Sequence, residues 1–96
     1  MENILCNFVG IESSGYCLNK DGNDQNTGVE LLEGTFTKLG CIKECVHIQI
    51  NYPNLNMEGC EYDSKYGKCA YHTEPVSSGS GDSRDACWVR KQGVQK

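Results

Sequence analysis

The run Cys41-Ile42-Lys43-Glu44-Cys45 places two cysteines one helical turn apart. Around it Leu39, Ile42 and Val46 recur at helical spacing, and Cys41, Cys45 and Ile48 extend the same face. Both thiols then lie on one side of a helix. They cannot bond each other without unwinding that turn, because each sulfur points along the face rather than at its neighbour. Each needs a partner elsewhere, and Cys60, Cys69 and Cys87 are the candidates. A helix held to the rest of the chain by two adjacent links is the centre of the expected fold.

Composition agrees with a cross-linked domain. A chain of 96 residues suits one domain, residues 1–96, with a core over about 4–90 and a tail at 91–96. Its hydrophobic fraction of 38% buries only a modest core. Seven cysteines approach the density of a disulfide scaffold. Cross-links that trim unfolded-state entropy would offset the thin core, at roughly 2–4 kcal/mol each. Disulfides persist in oxidising compartments, so a secreted or extracellular protein is expected. Asn3, Cys6, Asn7 and Gly10 interrupt any signal-peptide core at the N-terminus, so a leader would already have been removed or Met1 added. No Asn-x-Ser/Thr sequon lends support to secretion. The net charge of -4 argues against nucleic acid as a partner, and no apolar run is long enough for membrane insertion.

Outward from the helix, Thr35 or Thr37 would cap its start, with Lys38 the first helical residue and Ile48 or Gln49 near the last. Lys43, Glu44 and Gln49 are assigned to solvent. Pro53 and the Asn-rich segment Asn51 to Asn56 end the helix. Gly59 to Asp63 and Lys68 to His72 read as two strands joined by a turn at Ser64 to Gly67, the clearest hairpin in the chain. Short strands are expected at residues 4–9, 16–18 and 86–89, and an extended segment at 29–32. Gly10 to Gly15 reads as a break, Asn19 to Gly28 as a polar loop, and Pro75 to Asp85 as a flexible loop.

Gly-Tyr-Cys-Leu at 15–18, the helical Cys-x-x-x-Cys, Gly-Cys-Glu-Tyr at 59–62, Cys69 and Cys-Trp-Val at 87–89 together resemble a PAN/apple domain over roughly residues 4–90. The resemblance implies a small, disulfide-rich α+β fold in which an antiparallel sheet cradles one helix. It implies the nested pairing Cys45 with Cys60, Cys41 with Cys69 and Cys17 with Cys87. By the loop-entropy model the widest loop would contribute about 4–5 kcal/mol and the narrowest about 3. It also implies a non-enzymatic role, binding a protein partner or a carbohydrate in extracellular adhesion. Two features depart from the family pattern: the extra Cys6, and a long Asn51–Asn56 segment before Cys60. Cys6 is left as a free thiol, an intermolecular link that would form a dimer, or a competitor for another partner.

Rival chemistries use the same residues. Cys41, Cys45, His47, Cys60, Cys69 and His72 could furnish a zinc site in an intracellular interaction domain, but tight Cys-x2-Cys knuckles are missing. The plainer reading of both histidines is surface or half-buried. Asn19, Asp21, Asn23 and Glu30 match EF-hand positions, yet Asp24 stands where glycine is required, so a solvated turn is expected and neither cofactor nor metal. Ser77, Ser78, Ser80 and Ser83 lie in a loop that cannot preorganise a catalytic triad. No reactive-site motif recommends a secreted inhibitor or toxin. Among the rings, Tyr62 and Trp88 are assigned to the core, with Tyr71 on the Cys69 face. Tyr66, at the hairpin tip, is the exposed ring. Tyr66, His72, Arg84 and Asp85 are the candidate ligand contacts for a lectin-like surface, and Tyr16 is a further flat face.

Overall fold

A computed structural model describes residues 9–25 and 27–90. In chain order the elements are β1 (Val9–Ser14), β2 (Cys17–Leu18), β3 (Val29–Leu31), α1 (Lys38–Asn51), a 3-10 turn at Pro53–Leu55, β4 (Gly59–Asp63), β5 (Lys68–His72), β6 (Ser78–Gly79) and β7 (Asp85–Arg90). Five strands form an antiparallel sheet in the order β1-β7-β4-β5-β3, and β2 pairs with β6 in a separate two-stranded sheet. The fold is therefore α+β, with one helix on a five-stranded antiparallel sheet among the described residues.

The helix starts where a hydroxyl can replace a missing carbonyl. Thr37, in an extended conformation, accepts a hydrogen bond from the Gly40 N–H at 3.0 Å. The helix runs to Asn51, before Pro53. Cys41, Ile42, Cys45, Val46 and Ile48 are buried. Three assignments on this helix are corrected, the first being that Glu44 is half-buried rather than on the open solvent side. Leu39 is 55% exposed, because it sits at the rim of the buried face in the first turn. Gln49 is half-buried rather than solvated, and its Oε1 is buried without a hydrogen-bond partner. It follows Cys45 by four residues and Val46 by three, which places it on their side.

On the sheet, strand alternation sends Cys60 and Tyr62 of β4, Cys69 and Tyr71 of β5, and Ala86 and Trp88 of β7 to the helix side. These residues, with the helix face and Met57, make the main core; Tyr71 is packed at its edge. The Tyr62 hydroxyl donates to the Phe36 carbonyl at 2.9 Å, so the buried ring keeps its polar end satisfied. Two disulfides cross this core, Cys41–Cys69 and Cys45–Cys60. Cys17–Cys87 closes the other face, where Val76 and Val89 pack against it. The three bonds are nested, the outermost linking residues 70 apart.

Two loops differ from expectation. The break expected at Gly10 to Gly15 is mostly strand. Residues 9–14 pair with β7, with a register shift between Val9 and Ile11. That irregularity surrounds Gly10, which fits glycine's tolerance of bulges, and the chain turns only at Gly15, where φ is 100°. Residues 4–8 of the strand expected at 4–9, the tail at 91–96 and Cys6 lie outside the described residues, while Val9 begins β1. The serine loop is tied down rather than free. Ser77 N–H donates to the Leu18 carbonyl at 2.8 Å, Ser80 N–H to Tyr16 at 2.9 Å and Gly81 N–H to Ser14 at 2.8 Å. A Cβ at Gly79 would collide with the Ser14 carbonyl, so only glycine permits this approach.

Candidate recognition pocket

The sheet face away from the helix carries the polar residues of β4, β5 and β7. Hairpin register places Glu61 opposite Ala70 and Gly59 opposite His72. Glu61 and His72 are therefore diagonal neighbours on one face. The His72 Nε2 lies 2.9 Å from Glu61 Oε1, and its Nδ1 lies 3.2 Å from the Thr27 carbonyl oxygen. A carbonyl only accepts, so Nδ1 carries a proton. Nε2 then faces a carboxylate. The arrangement is satisfied by a doubly protonated ring against ionised Glu61, or by one proton shared between Nε2 and Oε1. Glu61 Oε1 also accepts from the Cys17 N–H at 3.0 Å. The pair thus joins the hairpin to the Cys17–Cys87 link and to the loop before β3.

Above this pair lies a recess of about 190 Å3 lined by Tyr16, Cys17, Asp24, Thr27, Val29, Glu61, His72 and Asp85. Tyr16 (37% exposed) and Val29 form an open apolar rim. His72 and Asp85 are 2% and 7% exposed. Asp85 Oδ1 is buried and has no hydrogen-bond partner. Arg84 Nε stands 3.5 Å from it but only 3.4 Å from Asp63, so one exposed guanidinium is divided between two carboxylates. Burial pushes the Asp85 carboxyl above the usual carboxylate range; Asp63 adds to the rise and Arg84 opposes it. Asp63 is the chief cause that raises the Arg84 guanidinium.

The structure divides the candidate residues expected from sequence. His72 and Asp85 line one recess, and His72 is buried rather than superficial because the β2 and β3 loops close over the sheet. Arg84 stands behind Asp85, outside the lining. Tyr66 is 59% exposed at the hairpin turn, beside the Lys65 ammonium at 5.2 Å, and is not part of the recess. Glu61 and Thr27 were not singled out by sequence. Glu61 was within reach: a four-residue turn with Asp63 opposite Lys68 dictates the diagonal to His72. Thr27 contributes through its backbone, which no side-chain pattern reveals. A second recess of about 200 Å3 shares Glu61 and adds Leu31, Asp63, Lys68, Cys69 and Ala70.

The proposed metal ligands are engaged otherwise. The sulfurs of Cys41, Cys45, Cys60 and Cys69 lie within 4.8 Å of one another, but as two disulfides. His47 is exposed and paired with Asn51, its Nδ1 3.1 Å from the amide nitrogen, on the far side of the fold from His72. In the Asn19 loop, Asn19 Oδ1 accepts from the Asp21 and Asn23 N–H groups at 2.8 and 3.2 Å. That loop is closed by its own amide hydrogen bonds, and Glu30 lies in β3. Compared with family models, with curated proteins and with solved structures, the chain matches none.

Proposed function

We propose that this chain is a non-enzymatic recognition domain of PAN/apple type, acting outside the cell on a protein partner or a carbohydrate. What carries the proposal is the recess on the sheet face away from the helix. It combines an exposed ring, Tyr16, with a buried carboxylate whose Oδ1 lacks a hydrogen-bond partner, Asp85. Binding sites of this kind pair an apolar wall with a few convergent polar groups. Its volume suits one sugar ring or one side chain rather than an extended ligand. Glu61, His72 and Asp85 sit on a cross-linked sheet and Tyr16 adjoins the disulfide-bonded Cys17, so these groups are held in place before a ligand arrives. Three disulfides support an oxidising compartment. The helix stapled twice to the central hairpin, with a third link drawing the two ends of the chain together, supports the family reading. The His72–Glu61 pair is committed to joining loops to sheet.

The test is a binding panel of monosaccharides and single amino-acid derivatives, followed by amide chemical shifts. The expected result is a selective response confined to residues around Tyr16, Thr27, Glu61, His72 and Asp85, and abolished by Tyr16→Ala. A response centred on Tyr66, or silence across the panel, would overturn this placement of the site.

A further inference from the structure

We infer that the recess takes a primary ammonium carried on an aliphatic stem, the side chain of a lysine presented by a partner protein. The inference rests on the recess being the recognition site. Its charge comes first. Asp24, Glu61 and Asp85 line it against a single ring, His72, that can carry positive charge. His72 is spent on Glu61 at 2.9 Å, and Arg84 is shared with Asp63 outside the lining. Asp85 is left buried with an oxygen that accepts no hydrogen bond. Arg84, 3.5 Å away and shared with Asp63, answers that carboxylate only in part, and a further donor with full positive charge answers it better than a neutral hydroxyl.

Shape selects among cations. Tyr16, Val29 and Asp24 are exposed at the rim, whereas Glu61 is half-buried and Asp85 is buried. A lysine enters such a recess with its methylenes against the apolar rim and its ammonium at the floor. A guanidinium is broader and planar, which suits a narrow recess less well than a compact ammonium on a flexible stem. A hexosamine ammonium has no flexible stem to reach past the rim. The net charge of -4 over the whole chain draws a basic partner toward this surface.

The experiment titrates the native, disulfide-bonded chain with Nα-acetyl-lysine methylamide, followed by amide chemical shifts. Norleucine and Nε-acetyl-lysine analogues, glucosamine and glucose serve as comparisons. The expected result is a lysine response at Tyr16, Thr27, Glu61 and Asp85, weakened about 10-fold or more in both neutral analogues. Asp85→Asn should weaken lysine by a similar factor, and raised salt should weaken it further. The analogue comparison needs no variant, so it stands even if a substitution perturbs folding. Equal binding of the norleucine analogue would overturn the inference, and so would tighter binding of glucosamine. Glucose shifting the same amides while lysine is silent would remove the ammonium and leave the recognition pocket standing. Silence from every probe would remove both.

Discussion

Asp85 is a side chain that burial makes costly to stability and that the proposed site would use for recognition. Its carboxyl is buried, and burial raises its affinity for a proton. With the folded value above the unfolded one, the group favours folding most at pH below its unfolded value, about 4. That contribution is lost as pH rises through the folded value. Asp85→Asn should therefore melt higher than the parent at pH 7, with the gap closing as the buffer is acidified toward pH 4. Thermal denaturation at the two pH values checks it; a constant gap would mean that charge is not the cause. His72 is the opposite case. Both of its nitrogens are engaged, so His72→Phe would leave Glu61 and the Thr27 carbonyl short of donors. A loss of about 1–3 kcal/mol is expected by urea denaturation. Tyr66→Ala should change neither binding nor stability by more than about 0.5 kcal/mol, since the ring is exposed at a turn.

Among the elements, helix α1 depends on its cap as well as its staples. Thr37→Ala removes the hydroxyl that receives the Gly40 N–H and should cost about 1 kcal/mol. Thr37→Ser should restore most of it, which separates capping from a general loss of packing. The hairpin was legible in the sequence because Gly59 to Asp63 and Lys68 to His72 alternate and share a turn of four residues. The helix start was legible for the same kind of reason, since a threonine precedes the periodic run. Strand β1 was not. Gly10 reads locally as a breaker, and only the partner strand β7 makes extended backbone favourable there. The serine loop was misjudged on similar grounds. Its composition suggests freedom, while the Leu18, Tyr16 and Ser14 carbonyls hold it.

At the scale of the whole molecule, three cross-links constrain the unfolded chain. Cys17–Cys87 spans 70 residues, Cys41–Cys69 spans 28 and Cys45–Cys60 spans 15. Loop entropy predicts contributions of about 4.4, 3.6 and 3 kcal/mol in that order. Replacing each pair by alanines and measuring urea midpoints should rank the losses the same way. A larger loss for either core pair would show that packing around the buried sulfurs outweighs loop length. The candidate site was only partly readable from the chain. Cysteine spacing, helical periodicity and hairpin alternation are local properties, so the one-dimensional pattern determined the α+β class, the helix, the hairpin and a disulfide-based architecture. The recess required the folded structure. Tyr16, Thr27, Glu61, His72 and Asp85 come from five separate segments, and what unites them is the sheet register and the closure of Cys17 onto Cys87. Burial, which turns Asp85 from a surface charge into an acceptor without a hydrogen-bond partner, exists only after those segments have packed.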